Sequence, residues 1–506
     1  MKSTSKGIHL ILLGIGISSR LGLGQTPGTF TATGNMTMPR FFHTSTLLAD
    51  GRVLIAGGTM IETSAVSSSQ IQLKSLSSAE LYDPRTGTFT PTGSMTTPRD
   101  GHTATLLPDG KVLIAGGGIA NDPSLSDPTL ASAELYDPGT CTFSATGDMT
   151  VARWFQTATL LNNGKVLIAG GSQGPGPQTD LASTELYDPS TGTFTATGNM
   201  ASPRADTATL LPNGKVLITR GNPDGPPPHL SSAELYDPSI GTFASAGYTT
   251  VEHGGPTATL IMNGRVLIAG GDVGDGDGSS VSAELYDPAT EAFSSTANMI
   301  VGRLQNTATL LSDGTVLFAG GHNVIDLAAS AEIYDPVQEA FGRTASMPTA
   351  RELHTATLLN DGRVLIAGGD DERYWIPETI LSSAELYTPA ALVPAPVLVS
   401  LSGDGKGQGA IWHSATGLIA SYQNPAVAEE ILSMYTISLL EGGVVPPQVA
   451  IGGQLAEILF FGDAPGYPGY FQVNFRVPNG VAPGSAVSVR LTYIGRPSNA
   501  VTIGLQ

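Results

Sequence analysis

Three histidines, His43, His102 and His354, stand at the same position of a recurring segment, directly before a Thr-rich run. Three imidazoles that converge can hold a catalytic metal ion. The position is filled in the other copies by Gln156, Asp206, Pro256 and Asn306. Since those copies carry no histidine there, we interpret the three histidines as hydrogen-bonding residues that connect neighbouring repeats. We therefore expect no metal or other cofactor.

One glutamate also recurs in each repeat, within a segment close to Ala-Glu-Leu-Tyr-Asp-Pro. These are Glu80, Glu134, Glu185, Glu234, Glu284, Glu332 and Glu385. Paired carboxylates can perform acid–base catalysis, but a residue that every repeat carries serves something that every repeat needs. Arginines recur as well, in the segments that connect one repeat to the next. These are Arg40, Arg99, Arg153, Arg204, Arg303 and Arg351. Because charges in a tightly packed fold need partners, we predict structural Glu–Arg ion pairs.

Aromatic residues gather in the segments that differ most between repeats. They are Phe41, Phe42, Trp154, Phe155, Tyr374 and Trp375. Such rings, near carboxylates such as Asp370 and Asp371, can stack on sugars or anchor a peptide, although packing between repeats is an alternative role. Two further residues break the repeat pattern, Arg220 at a paired glycine and His253 at the recurring arginine. We predict that these eight residues contribute to a ligand-binding site.

An acidic loop offers a different chemistry. Asp272, Asp275 and Asp277 alternate with glycines, an arrangement that can bind Ca²⁺ through carboxylate oxygens. No glutamate follows at the position that would complete a calcium-binding loop. We favour the interpretation of a solvated acidic loop.

All these residues lie on a unit of about fifty residues that occurs seven times. A complete copy contains four short segments with strand character. The first two flank an Asp-Gly or Asn-Gly pair, which is typical of a two-residue hairpin turn. The third ends at Tyr-Asp-Pro, and a fourth begins shortly after it. Seven four-stranded sheets predict an all-β, seven-bladed β-propeller, in which we name the strands of each blade A to D.

The chain termini of the repeat region support closure of a ring. Gly28 to Thr33 reads as a strand D with no blade of its own, and the seventh unit stops after its strand C at Tyr387. We predict that the two halves complete one blade, which removes the exposed edge of a linear array. The A–B and C–D turns are nearly uniform and define one rim. The B–C loops and D–A connections vary and define the other.

The paired glycines, the downstream Tyr-Asp-Pro, and the Pro-Arg before His-Thr resemble kelch repeats. The form "TATLLPDGKVLIAGG" is similar to the propeller of galactose-oxidase-like proteins. That resemblance implies, as an alternative function, a copper oxidase with two Tyr, two His and a Cys–Tyr crosslink, or a carbohydrate-active enzyme. The single cysteine, Cys141, replaces a turn glycine on an outer strand, which is a poor position for such a crosslink.

A Pro/Ala-rich joint after Pro389 ends the repeats, and alternating apolar residues between Gly/Pro turns predict a C-terminal β-sandwich. We place a signal peptide at 1–24, the propeller at 25–391 and the sandwich at 392–506. The string "APGYPGYFQVNFRVPNGVAPG" resembles an uncharacterised domain of secreted Solibacter-type acidobacterial proteins. That resemblance implies a bacterial origin and export.

Composition narrows the class of partner. The N-terminus is typical of a secretory leader, with Lys2 and Lys6, an apolar stretch and then Gly22-Leu23-Gly24. We therefore expect a secreted or periplasmic protein. No later stretch is apolar enough for a membrane-spanning helix. A formal net charge of −19 would repel the phosphate backbone, so we expect that the protein does not bind nucleic acid. We predict a monomeric recognition module, rather than an enzyme, that binds a carbohydrate or a protein at the variable rim.

Overall fold

A computed structural model describes residues 28–506, apart from 63–71, 121–127, 175–179, 204–206, 220–231, 252, 274–277, 324–326, 372–378, 393–394, 403–404, 440–443 and 466. The described residues form only strands, turns and loops. None of them belongs to a helix that could span a membrane. Seven four-stranded sheets, one nine-stranded sheet and one two-stranded hairpin make up the fold, which confirms the all-β prediction.

The strands occupy equivalent positions in the seven blades. Strands A are β2 (Thr44–Leu47), β8 (Thr103–Leu106), β12 (Thr157–Leu160), β16 (Thr207–Leu210), β20 (Thr257–Leu260), β24 (Thr307–Leu310) and β28 (Thr355–Leu358). Strands B are β3 (Val53–Ala56), β9 (Val112–Ala115), β13 (Val166–Ala169), β17 (Val216–Thr219), β21 (Val266–Ala269), β25 (Val316–Ala319) and β29 (Val364–Ala367).

The remaining propeller strands follow the same order. Strands C are β6 (Ala79–Asp83), β10 (Ala133–Asp137), β14 (Thr184–Asp188), β18 (Ser232–Asp237), β22 (Ala283–Asp287), β26 (Ala331–Asp335) and β30 (Ala384–Thr388). Strands D are β7 (Thr88–Pro91), β11 (Thr142–Ala145), β15 (Thr193–Ala196), β19 (Thr242–Tyr248), β23 (Ala292–Ser295), β27 (Ala340–Arg343) and β1 (Thr29–Ala32). A hairpin of β4 (Thr59–Glu62) and β5 (Gln72–Ser75) extends the B–C loop of blade 1.

The blades form a closed ring with strand A innermost. Each strand A contacts the strands A of the two neighbouring blades, and β2 of blade 1 contacts β28 of blade 7. Blade 7 is completed by β1, whose Phe30 lies opposite Tyr387 of β30 in an antiparallel pair. The predicted count of seven and the predicted closure by the N-terminal strand are both confirmed.

Apolar strands and aromatic pairs hold neighbouring blades together. Every strand B is buried along its whole length, because adjacent blades cover both of its faces. In each blade a buried tyrosine of strand C packs against a phenylalanine of strand D, as Tyr82 does with Phe89 at 4.8 Å between ring centroids. The Tyr82 hydroxyl also bonds the Thr33 hydroxyl, which follows strand D of the preceding blade (2.9 Å).

One of these tyrosines lacks the bond between blades. This is Tyr286 of blade 5: in strand D of the preceding blade 4 the threonine position is occupied by Ala246, and the buried Tyr286 hydroxyl has no hydrogen-bond partner among the described residues. Burial raises the pKa of this hydroxyl to about 12. In blade 6 the Tyr334 hydroxyl bonds Thr296 at 2.9 Å.

This difference makes a testable prediction. Tyr334→Phe should lower the free energy of unfolding by about 1 kcal/mol, because it removes the hydrogen bond to Thr296, whereas Tyr286→Phe should be neutral or slightly stabilising. Thermal or urea unfolding of the two variants measures the difference. Equal losses in both would show that the hydroxyl bond contributes nothing.

The C-terminal region forms one nine-stranded sheet that curls into a sandwich-like half-barrel. Its strands are β31 (Val397–Leu398), β32 (Ile411–His413), β33 (Ile431–Ile437), β34 (Gln448–Ile451), β35 (Gln454–Asp463), β36 (Phe471–Arg476), β37 (Gly484–Tyr493), β38 (Arg496–Pro497) and β39 (Val501–Leu505). The main path runs β31-β33-β36-β35-β34-β37-β38, with β32 on β33 and β39 on β37. Fully buried residues such as Leu432, Val473 and Leu491 fill its interior.

This C-terminal domain packs against the uniform rim. The backbone N–H of Val444 donates to the carbonyl of Met262 (3.1 Å), in the A–B turn of blade 5. Met262 itself belongs to the apolar core of the domain. A cleft of about 420 Å³ between the two units is lined by residues that include Asp50, Asp109 and Arg490. The variable rim therefore faces away from the C-terminal domain.

Candidate ligand-binding face

The recurring arginines fix the connections that lead into each blade. Arg40 is fully buried and donates to the carbonyls of Gly57 (2.7 Å) and Ser78 (3.1 Å) and to the Glu80 carboxylate (2.9 Å). The second oxygen of Glu80 accepts the backbone N–H of Thr37 at 2.8 Å. Burial lowers the pKa of Arg40, and the adjacent Glu80 opposes that shift. The buried charges are thus paired and hydrogen-bonded.

The backbone of the same arginine bonds the neighbouring blade. The Arg40 N–H donates to the carbonyl of Leu381 (3.3 Å), and its carbonyl accepts the N–H of Gly369 (2.9 Å), both in blade 7. Arg40 therefore connects blades 7 and 1 directly. The equivalent ion pairs are Arg99–Glu134 (3.1 Å), Arg153–Glu185 (3.0 Å), Arg303–Glu332 (3.0 Å) and Arg351–Glu385 (2.8 Å).

These distances confirm the predicted Glu–Arg pairing in five blades, while Arg204 lies outside the described residues. In blade 5 His253 occupies the arginine position. It is fully buried, with Nε2 at 3.0 Å from Glu284 and Nδ1 at 2.8 Å from the Gly270 carbonyl. The structure therefore places His253 in the connection between blades, away from the exposed face.

The three histidines before strand A also connect blades. His43, His102 and His354 are buried, and the Nε2 of each lies 3.0 Å from a threonine hydroxyl of an adjacent blade. Each ring packs over a glycine of the preceding blade. A Cβ at Gly57, for example, would lie 2.7 Å from His102 Cε1 and 2.5 Å from the Arg99 carbonyl oxygen. The predicted role in bonding between repeats is confirmed.

Burial of these imidazoles makes stability depend on pH. It lowers the pKa of His102 and His354 to about 3, and burial together with the nearby Arg40 lowers that of His43 well below its usual value. The unfolded chain binds these protons below about pH 6.5. The histidine contribution to stability is therefore complete above that pH and is lost as pH falls toward 3.

We expect the triple variant His43→Gln/His102→Gln/His354→Gln to weaken this loss. Glutamine occurs naturally at this position in blade 3, where Gln156 Nε2 donates to the Ala115 carbonyl (2.7 Å). Melting temperatures are measured for both proteins from pH 7 to pH 4. The melting temperature of the variant should fall less over this range than that of the parent. Identical pH profiles would contradict the assignment.

Four aromatic residues meet at the variable rim, which we call the aromatic shelf: Phe41, Phe42, Phe155 and Trp154. Ring centroids are 4.9 Å apart for Phe41–Phe42, 5.0 Å for Phe42–Phe155 and 4.3 Å for the stacked Phe155–Trp154 pair. Phe41 is buried, and the other three are half-buried. The structure thus brings together four of the eight predicted binding residues.

The shelf bridges blades 1 and 3 across a glycine of blade 2. Phe42, Gly101 and Phe155 each directly precede the position before strand A, and each has a positive φ, of 52°, 54° and 55°. The Gly101 N–H donates to the Phe42 carbonyl (3.1 Å), and the Phe155 N–H donates to the Gly101 carbonyl (3.0 Å). A Cβ at Gly101 would lie 2.1 Å from Trp154 Nε1. Glycine here leaves room for the indole.

A buried carboxylate anchors the shelf. Trp154 Nε1 donates to Asp100 Oδ1 at 3.0 Å. The other oxygen accepts hydrogen bonds from the hydroxyls of Thr59 (2.8 Å) and Ser75. Burial raises the pKa of Asp100, and these three donors oppose the shift. Asp100 therefore fixes the orientation of the indole from beneath.

Asp100 and a second polar group on the same rim were not predicted from the sequence. Glu352 of blade 7 is buried and bonds His322 of blade 6 through Nδ1. Asp100 and Glu352 occupy the position after the recurring arginine, which Phe41 and Trp154 fill in their own blades. Position within the repeat was the signal that could have identified them.

Several other predicted residues are not part of the described structure. Arg220, Tyr374 and Trp375 lie outside the described residues, as do Asp275 and Asp277 of the acidic loop. Asp272 forms an isolated antiparallel bridge with Gly254 at the variable rim. Their predicted roles stay predictions.

The described residues do not fit a copper centre. They contain no group of three or more His, Cys, Asp and Glu side chains that could hold a metal ion. Cys141 lies in the C–D turn of blade 2, at the uniform rim, and its thiol is 3.7 Å from the Pro138 carbonyl. The Nε2 of each histidine of the inner ring is already engaged by a threonine hydroxyl of an adjacent blade.

Comparisons with known proteins agree with this architecture. No family model matches the chain. A galactose oxidase of Gibberella zeae is 33% identical over 100 residues, which span 20% of this chain and 14% of that protein. An F-box/kelch-repeat protein of Arabidopsis thaliana is 36% identical over 102 residues, 20% of this chain and 25% of that protein. Each match therefore covers only a small part of the relative.

A solved structure shares the fold over nearly the whole length. It is described as a novel fungal alcohol oxidase with catalytic diversity among the AA5 family, in complex with copper. The TM-score is 0.59 at 17% identity, covering 95% of this chain and 99% of that one. At this identity the likeness shows the fold alone. The chain is a seven-bladed β-propeller whose repeats are similar to those of kelch proteins and galactose oxidase.

Proposed function

We propose that this protein is a recognition module that binds carbohydrate through the aromatic shelf of its variable rim. The observation that carries the proposal is the continuous contact of Phe42, Phe155 and Trp154 over Gly101, held by the buried Asp100. Half-buried rings with fixed orientation present apolar faces at low entropic cost. Such faces can stack on the C–H faces of sugar rings.

The charge of the chain favours a neutral or basic sugar. A net charge of −19 opposes binding of acidic polysaccharides. We therefore expect neutral or amino sugars among the ligands, and a protein ligand is the competing outcome.

Gly101→Ala tests the shelf. The added methyl group would collide with Trp154, so we expect at least about a tenfold loss of affinity for any glycan that the parent binds in a glycan-array screen. The matched control is Gly255→Ala. Gly255 holds the same position in blade 5, with φ of 62°, and a Cβ there would have nothing within 4 Å.

Comparison of Gly101→Ala with Gly255→Ala separates the effect of backbone strain from the effect of displacing the Trp154 indole. Both substitutions place alanine in a left-handed conformation, but only the first disturbs the shelf. Equal binding by the two variants would contradict the proposal. Binding of a protein from a defined panel, with no glycan retained, would favour the competing outcome.

Export and attachment belong to the same proposal. A secretory leader would bring the module to extracellular or periplasmic glycans, and the C-terminal region, with its likeness to a Solibacter-type domain, would hold the propeller by its uniform rim. The alternative of a copper oxidase predicts stoichiometric copper by elemental analysis, lost on replacement of His43, His102 or His354. Such a result would overturn the binding-module proposal.

A further inference from the structure

A second group of aromatic rings lies on the C-terminal domain. Trp412 of β32 contacts Tyr435 of β33 at 5.3 Å between centroids, and Tyr435 contacts Tyr467, in the turn before β36, at 5.6 Å. Tyr467 is 60% exposed, while Trp412 and Tyr435 are half-buried. We call these three residues the aromatic ladder.

Strand alternation directs the ladder outward. In β33 the alternate residues Leu432, Met434 and Thr436 are buried in the sandwich. Tyr435 lies between the last two and therefore points to the opposite face. In β36 the buried residues are Val473 and Phe475.

The neighbouring strand adds amide groups to this face. Gln472 lies directly opposite Tyr435 in the β33–β36 register. Its Nε2 donates to Asn474 Oδ1 at 2.8 Å, and both side chains are partly exposed. The outer face of these strands therefore presents three rings beside two amides.

This face points away from the propeller. The side of the domain that meets the uniform rim is built from the β34–β37 half of the sheet, where Arg490 lines the cleft with Asp50 and Asp109. The ladder belongs to the β32, β33 and β36 half, across the buried core. It is therefore separate from the aromatic shelf.

Charge and ring geometry restrict the ligand. Arg476 and Glu457, also on this half of the sheet, bond each other at 2.8 Å, so neither leaves an unpaired charge. Rings beside amides suit a neutral, hydroxyl-rich chain, since amides donate and accept hydrogen bonds. Successive rings are inclined by 68° and 52°, which makes the ladder twisted rather than flat.

We propose that the ladder of Trp412, Tyr435 and Tyr467, with Gln472 and Asn474, is a second binding site, which takes a single soluble chain of a neutral polysaccharide. A twisted row of rings fits an isolated chain and not the flat face of a crystalline polymer. The site is independent of the shelf. Together the two sites would make the protein bivalent toward glycans.

Affinity electrophoresis of the whole protein tests this site. Native gels would contain hydroxyethylcellulose, mannan, xylan or soluble starch, and retardation in at least one of them is expected. Tyr467→Ala should weaken that binding at least about fivefold. The control is Tyr422→Ala, which removes a tyrosine that is 70% exposed on the same domain but lies outside the ladder.

The outcomes distinguish this site from the shelf. Retardation that survives Gly101→Ala and is lost in Tyr467→Ala supports the ladder, whatever the shelf binds. Retardation that Tyr467→Ala leaves unchanged overturns the proposal, as does the absence of retardation in all four gels. A parent dimer in analytical ultracentrifugation that Tyr467→Ala converts to monomer would instead assign the ladder to self-association.

Discussion

Replacing Arg303 by methionine is expected to lower the free energy of unfolding by about 3–5 kcal/mol, because it leaves the buried Glu332 carboxylate without its counter-charge. The guanidinium also donates to the carbonyls of Gly320 (2.9 Å) and Ser330 (2.8 Å). Both carbonyls would lose the guanidinium donor, and Ser330 would keep only the backbone N–H of Gly320 at 3.4 Å. Equilibrium unfolding by urea, or the shift in melting temperature, measures the loss.

Two control variants sharpen the result. Arg303→His should cost much less than Arg303→Met, because His253 makes the equivalent contacts with Glu284 and Gly270 in blade 5. The double variant Arg303→Met/Glu332→Leu removes both charges and should recover part of the loss. A methionine variant as stable as the parent would show that the ion pair is not needed for blade connection.

Deletion of residues 25–35 is expected to cause aggregation or a markedly earlier melting transition. The deletion removes β1, whose Phe30 packs on Tyr387 at 4.9 Å between centroids, and so exposes the edge of β30. Unpaired edges are templates for association. The single cysteine allows no intrachain disulfide that could hold the ring closed. Light scattering during a thermal ramp records both effects.

The control for this deletion removes residues 25–27 only and leaves β1 intact. That shorter variant should melt like the parent. An unchanged melting profile after the longer deletion would mean that the ring does not depend on its N-terminal strand.

The architecture could be predicted because each blade repeats the same local rules. Seven Asp-Gly or Asn-Gly turns fix the A–B hairpins, and the left-handed glycines of these turns, such as Gly51 with φ of 87°, adopt the predicted conformation. The position of Gly28 to Thr33 before the first complete unit sufficed to predict the closure. The Glu–Arg pairs followed from their regular recurrence.

The binding face could be predicted only in part, because its contacts run between blades. Phe42 and Phe155 are far apart in the sequence and meet because Gly101 between them has no side chain. His253 breaks the pattern of the arginines, yet the structure shows that it makes their contacts. A departure from a repeat therefore does not by itself identify a binding residue.

The aromatic ladder was not predicted for a related reason. Tyr435 and Tyr467 lie in different segments of the second domain, which has no internal repeat to reveal an exception. Only the β33–β36 register and the turn before β36 bring the two rings together.

The central claim, that the shelf binds carbohydrate, is tested most directly by the fluorescence of Trp154. A variant with Trp375→Phe and Trp412→Phe keeps Trp154 as its sole tryptophan, in contact with Phe155 and Asp100. Titration with the neutral oligosaccharide that the glycan screen retains most strongly should change the emission in a saturable manner. Emission that stays constant while calorimetry of the same variant shows saturated binding would contradict the claim.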